Sequence, residues 1–238
     1  MSKVAYITGG SKGIGLGIAE ALLQEGYRVA ITARTQKAID AAVEQLKKIG
    51  KGEILGLQSN VKNYADEKYA IQQVIDKWGQ LDVCIANAGV GKFASIDEMS
   101  NDDWNAVIDT NLTGVFHTVK ASIPALKKSK GYIMTIASLA GTNFFQRGAA
   151  YNASKFGLVG FTQAVMLDVR PYEIKTTTIM PGSVATYFNG HVPSAADGWK
   201  IQPEDIGQMV VDLLKMNPRT LPSKVEVRPT VPPSARKK

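Results

Sequence analysis

The sequence predicts an α/β protein, a single-domain, doubly wound parallel sheet with helices on both faces. Three observations predict it. Short β-rich runs alternate with longer helical patterns along most of the chain, which requires crossover connections and hence a parallel sheet. The runs at 4–8, 83–86 and 132–137 are largely apolar without clean alternation, as expected of strands covered on both faces. The 238 residues, 45% hydrophobic and 21% charged, suit one large globular domain and exclude a disordered, collagenous or coiled-coil chain.

The elements follow in order. The run Val-Ala-Tyr-Ile-Thr at 4–8 leads through a glycine-rich turn into a helical pattern over 14–25. Strands at 28–32 and 53–58 are followed by helices at 36–49 and 65–78. The strand at 83–86 precedes a long helical pattern over 102–127, and the strand at 132–137 precedes another over 149–170. A strand at 176–180, a helix at 203–215 and a strand at 224–228 complete the domain, which spans 1–228. Residues 229–238, with Pro229, Pro232, Pro233 and terminal basic residues, read as a disordered tail.

Lysine and arginine number 28 against 21 acids, a formal charge of +7. Setting aside Arg228, Arg236, Lys237 and Lys238 leaves the body at +3, which disfavours a nucleic-acid or membrane partner. The single cysteine, Cys84, has no internal disulfide partner and sits in an apolar run as a small buried hydrophobe. Met1-Ser2-Lys3 leads directly into the first strand and no uncharged apolar stretch spans a bilayer, so a soluble cytoplasmic protein is expected. His117 and His191 belong to no ligand pattern, and no metal is expected.

In such sheets the ligand lies beyond the carboxyl ends of the strands, where strand order reverses. After the first strand comes Thr8-Gly9-Gly10-Ser11-Lys12-Gly13-Ile14-Gly15. Glycines there allow a tight turn and close approach of backbone to a pyrophosphate at a helix N-terminus. The second strand ends Ile31-Thr32-Ala33-Arg34 with no acid to hold ribose hydroxyls. Arg34 and Lys12 are therefore expected to bind the 2′-phosphate of NADP. Tyr151 and Lys155 lie one turn apart on a helical face, Ser138 follows a strand, and Asn111 lies in the preceding long helix. A tyrosine protonates a carbonyl oxygen only when its ordinary pKa of about 10 is brought nearer neutrality, and a neighbouring ammonium has that effect.

With these residues in this order, the chain resembles members of the short-chain dehydrogenase/reductase family, in its short single-domain branch, from about residue 4 to 182. The resemblance rests on Gly9, Gly13 and Gly15, on Asn87-Ala88-Gly89, and on Ser138 with Tyr151 and Lys155. It implies Tyr151 as general acid, Ser138 hydrogen-bonded to the substrate oxygen, and Lys155 gripping the nicotinamide ribose while lowering the tyrosine pKa. Asn111 would hold a water in a proton relay. Cofactor contacts would come from Gly9, Ser11, Lys12, Gly13, Ile14, Gly15, Arg34, Asn60, Val61, Asn87, Ala88 and Gly89. Tyr151, Lys155, Pro181, Gly182, Val184 and Thr186 would complete them. Asn60-Val61 replaces the family's Asp-Val, and Ala86 replaces the first Asn of Asn-Asn-Ala-Gly.

The segment 186–202 is expected to cover the substrate; its Tyr187, Phe188, His191, Val192 and Trp199 suit a compact or ring-bearing carbonyl compound, or equally pack the segment down. The leading function is NADP(H)-dependent interconversion of a small carbonyl compound and its alcohol. One alternative is a 3-oxoacyl-carrier-protein reductase of fatty acid synthesis. Lys127, Lys128 and Lys130 favour it; Glu173 and the lack of a Val-Asp-Gly-Gly ending at 225–229 count against it. Another is a catalytically silent cofactor sensor, a class that commonly lacks the tyrosine or the lysine. An extended sugar epimerase is excluded, because only 56 residues follow Gly182. The resemblance also implies a homo-oligomer, a tetramer or dimer, and Val115, Val119, Leu158, Phe161, Val165 and Leu167 give the two long helices more apolar positions than one sheet-facing stripe requires.

Overall fold

The structure, a computed structural model, describes residues 2–232. The far part of the expected tail, with Pro233, Arg236, Lys237 and Lys238, lies outside the described residues. Seven strands, β1 (Val4–Thr8), β2 (Arg28–Ala33), β3 (Ile54–Gln58), β4 (Val83–Ala86), β5 (Tyr132–Ile136), β6 (Lys175–Pro181) and β7 (Lys224–Val227), form one sheet. All neighbours are parallel and the order is β3-β2-β1-β4-β5-β6-β7, so the chain reverses direction across the sheet between β1 and β4.

Period-two alternation sorts the core into two layers. In β1, Ala5 and Ile7 join Ile18 and Leu22 of α1 (Gly13–Gln24), Leu46 of α2 (Gln36–Lys47) and Val210 of α7 (Pro203–Lys215). Val4 and Tyr6 face the other way, onto Val74 of α3 (Tyr64–Trp78), Val119 of α5 (Gly114–Ser129) and Leu158 of α6 (Ala149–Val169). A strand with both sides apolar is thereby covered on both.

The expected long helix over 102–127 is two helices, α4 (Asn101–Ile108) and α5, joined by a single π-helical turn, Asp109–Thr113. A π turn inserts a residue into the helical repeat, and here it carries Asn111, which is wholly buried. Apolar periodicity read over a window does not register one added residue. The apolar surplus on the long helices also divides. Val115, Val119 and Leu158 belong to the chain's own core, with Phe161 and Val165 packed half-buried against it. Leu167 is exposed, as are Phe116 and Phe156.

Candidate active site

The carboxyl ends of the strands open into a cleft of about 1590 Å³, more than one small ligand fills. At one end is the turn after β1. Gly9 and Gly13 take positive φ of 64° and 57°, which bulkier residues adopt only with strain. A Cβ at Gly15 would sit 2.5 Å from both the Gly9 carbonyl and the Asn87 amide. Gly15 therefore packs α1 against the strand ends and does not itself line the cleft, as Gly9, Ser11, Lys12, Gly13 and Ile14 do. Helix α1 begins with no side-chain cap and no acid in its first turn, leaving its N–H groups and positive dipole end to an anion.

Asn87 fastens this turn across the β1/β4 seam. Its side chain donates to the carbonyls of Thr8 (2.8 Å) and Gly9 (3.1 Å), while its backbone N–H and that of Ala88 donate to the Thr8 hydroxyl at 3.0 and 3.1 Å. Beyond β2, Arg34 and Lys12 line the cleft, are exposed, and have no ion-pair partner among the described residues. Helix α2 starts next to Arg34 at Thr35, again without a side-chain cap or first-turn acid. Thr35 lines the cleft too, a contact the sequence did not single out. Asn60, Val61, Ala88 and Gly89 form the intervening wall.

At the reacting end, Tyr151 and Lys155 project from the first turns of α6, and Ser138 follows β5. Lys155 is 4% exposed. Its ammonium donates to the Ile136 carbonyl at 2.9 Å and lies 5.7 Å from the Tyr151 ring centre. Burial pushes its pKa down to about 8. Burial also pushes the Tyr151 phenol above its ordinary value, and the Ser138 hydroxyl beside it draws it part of the way back. Pro181, Gly182, Val184 and Thr186 close the floor.

Asn111 stands behind this wall. Its amide donates to the Val90 carbonyl at 2.9 Å and accepts from the Val90 N–H at 2.8 Å, and it reaches the Ser154 hydroxyl at 3.1 Å. These contacts hold the segment after β4 against α6 and engage both ends of the side chain.

Two loops cover the substrate side. The loop at 139–148 went unnoticed in the sequence, although two adjacent phenylalanines outside any helix or strand pattern were a signal. Its Asn143, Phe144 and Phe145 line the cleft. Asn152, next to Tyr151, fixes it by donating to the carbonyls of Ala140 and Asn143, both at 2.8 Å. The other is the expected cover at 186–202, whose base is closed by the Val184–Ile201 bridge. Inside it, the carboxylate of Asp197 is buried and accepts from Lys200, from the Ser194 N–H and from His191. Chiefly Lys200 holds that carboxyl far below the usual carboxylate range. Tyr187, Phe188, His191 and Trp199 line the cleft, joined by Arg228, Pro229 and Pro232 from the end of the described chain. Among the described residues no group of three or more metal-ligating side chains is gathered, and no helix is long and apolar enough to cross a membrane.

The arrangement has room for an elongated molecule along the strand ends, with a helix N-terminus suited to an anion at one end and a phenol, an ammonium and a hydroxyl at the other. Residues 3–197 match the family described as short chain dehydrogenase. The chain is 34% identical to a trans-4-hydroxycyclohexanecarboxylate dehydrogenase of Sinomonas cyclohexanicum, over 89% of its own length and 85% of that protein's. It is 37% identical to a 3-oxoacyl-[acyl-carrier-protein] reductase of Synechocystis sp., over 78% and 75%. Among solved structures it resembles an alcohol dehydrogenase of Thermococcus sibiricus complexed with 5-hydroxy-NADP, with a TM-score of 0.92 at 27% identity, covering 100% of this chain and 99% of that one.

Proposed function

The chain belongs to the short-chain dehydrogenase/reductase family, and we propose that within it this oxidoreductase uses NADP(H) to interconvert a small carbonyl compound and its alcohol. The observation that carries the reading is the convergence of Tyr151, Lys155 and Ser138 at one end of a cleft whose other end is a glycine cradle with an uncapped helix. The cradle fits a pyrophosphate, and Arg34, Lys12 and the α2 N-terminus fit a 2′-phosphate. When bound, the reduced nicotinamide supplies the hydride that goes to the carbonyl carbon. Ser138 orients the carbonyl oxygen and Tyr151 gives it the proton, so that the alcohol and a phenolate remain. Lys155, whose ammonium has a pKa of about 8 and lies 5.7 Å from the Tyr151 ring centre, is the positive charge that stabilises that phenolate. Asn111, Asn87 and Asn152 act by holding these groups in place.

Charge-assisted phosphate contacts are worth about 1.5–3 kcal/mol each, or roughly tenfold or more in affinity. Wild type is expected to bind NADPH more tightly than NADH, and Arg34→Ala to weaken NADPH by roughly tenfold or more while leaving NADH unchanged. Fluorescence titration of both cofactors checks this, and equal affinities in wild type refute it.

A second reading, reduction of a carrier-bound 3-oxoacyl group, draws support from the Synechocystis relative. The lysines that favoured it do not. Lys127, Lys128 and Lys130 end α5, just before β5 enters the sheet, and so lie roughly a strand length, about 17 Å, from the cleft edge. Lys130 is moreover paired with Glu173. Assembly into a homo-oligomer through Phe116, Phe156 and Leu167 is part of the proposal. Light scattering at micromolar concentration is expected to give a multiple of 25.6 kDa, and a monomer mass would refute it.

A further inference from the structure

We propose that the substrate half of the cleft is an aromatic seat for an uncharged, ring-bearing ketone, alicyclic or aryl, and that Gly91 makes the seat possible. The proposal rests on the carbonyl chemistry assigned above and narrows its substrate. Three rings meet around the reacting phenol. Phe93 lies 5.5 Å from Tyr151, 5.8 Å from Phe145 and 6.4 Å from Phe188, centre to centre. Tyr151 lies 5.6 Å from Phe188 and 6.5 Å from Phe145. The planes cross at 49–67°, so no two rings stack flat and ring faces stay open to a third partner. Phe93 does not line the cleft; Phe145, Tyr151 and Phe188 do, with Phe93 as their support.

The seat has a requirement in the backbone. A Cβ at Gly91 would stand 2.6 Å from two ring carbons of Phe188 and 3.0 Å from the tip of Phe93. Any side chain there displaces Phe188. Rings that served only to pack the covering loops down would be buried, yet Phe145 is 47% exposed and its neighbour Phe144 is 86% exposed at the mouth. The ionisable groups nearby are already engaged. His191 and Lys200 share Asp197, and Arg228 is paired with Glu226. Apart from Lys155, which is buried, bonded to the Ile136 carbonyl and committed to Tyr151, nothing among the described residues on this side offers an unpaired cation to a substrate carboxylate. An apolar, aromatic, charge-satisfied wall selects a neutral ring by edge-to-face contact.

The test measures kcat/KM with NADPH for 4-methylcyclohexanone, 1-tetralone, 4-oxocyclohexanecarboxylate and acyclic 2-octanone. Wild type, Phe188→Ala and Gly91→Ala are compared, together with NADPH affinity and melting temperature. In wild type the two neutral ring ketones are expected to exceed the carboxylate and the acyclic ketone by at least roughly tenfold. Loss of the Phe188 ring in Phe188→Ala lowers the ratio of ring-ketone to 2-octanone kcat/KM by roughly tenfold, whatever common fall follows from Tyr151 losing a neighbour, with NADPH affinity unchanged; Gly91→Ala does the same. Equal use of 2-octanone or of the carboxylate by wild type overturns the proposal. So does an equal fall for all substrates in both variants with a large drop in melting temperature, which would leave the rings as packing. Turnover without ring preference removes this proposal alone, whereas no turnover of any ketone or of its alcohol removes the carbonyl chemistry along with it.

Discussion

Replacing Tyr151 by phenylalanine is expected to lower kcat for carbonyl reduction by roughly 10²–10⁴, the range for a lost general acid, with NADPH affinity and melting temperature nearly unchanged. The ring is held by Phe93 and Phe188, and phenylalanine keeps that packing. Only the hydroxyl is lost. Its neighbour Ser138 keeps its bonds from the Ala140 N–H at 3.1 Å and to the Pro181 carbonyl at 3.4 Å, so no buried group is stranded. Burial pushes the phenol above its ordinary value and the Ser138 hydroxyl draws it only part of the way back, the opposite of the net lowering expected from the neighbouring ammonium, which is instead bonded to the Ile136 carbonyl. Stopped-flow oxidation of NADPH at saturating ketone checks the prediction, and a variant rate within threefold of wild type would defeat the assigned chemistry.

Lys155→Met gives the second large effect, and there activity and stability move in opposite directions. A fall of roughly 10²–10³ in kcat is expected, the scale for removing one preorganised electrostatic group. The ammonium is 4% exposed and has a folded pKa of about 8, well below the unfolded value of about 10.4. Holding the charge inside therefore costs about 3 kcal/mol at pH 7, a cost that fades as pH rises from about 8 towards the unfolded value. Removing it leaves the Ile136 carbonyl without its partner, which costs about 1–3 kcal/mol. The two nearly offset or favour the variant, and each 1 kcal/mol is about 2–4 °C in a chain of this size. The variant should melt at the same temperature or several degrees higher at pH 7, and the gain should shrink by pH 9.5. A lower melting temperature at pH 7 would contradict the account.

What could be read along the chain was whatever is local. The glycine turn after β1, the missing acid after Ala33 and the four-residue step from Tyr151 to Lys155 are each confined to one turn or one strand end, and the residues named from them line the cleft, apart from Gly15; Asn111, named from the long helix, does not line it either. Those two act from behind it, through packing distances that no spacing encodes. The π turn went unseen because it shifts the helical phase by a single residue. Phe93 and Asn152 went unseen because their partners come from other segments. Glu67 is a further case. It is wholly buried and accepts from Tyr6, Ser59 and Thr118, yet in the sequence it is one acid among many on a helix. The lysines at 127–130 show the converse error, since charges clustered in sequence lie at the end of the sheet away from the site.

The order β3-β2-β1-β4 has a consequence for how the chain is made. β1 leaves one of its edges unpaired until β4 exists, and 49 residues lie between the end of β2 at Ala33 and Val83. At about 5–20 residues per second of synthesis, that gap lasts roughly 3–10 s, during which a strand with every residue destined for the interior shows a bare edge to neighbouring nascent chains. The seam that closes last in this stretch is the one fastened by Asn87 to Thr8 and Gly9. Half of the phosphate cradle thus waits for the arrival of the other half of the sheet, and a dinucleotide in solution would favour the joined state over the open one by mass action. Removing the Asn87 amide would accordingly show itself first in the yield of soluble protein from cells, before any loss in the purified enzyme.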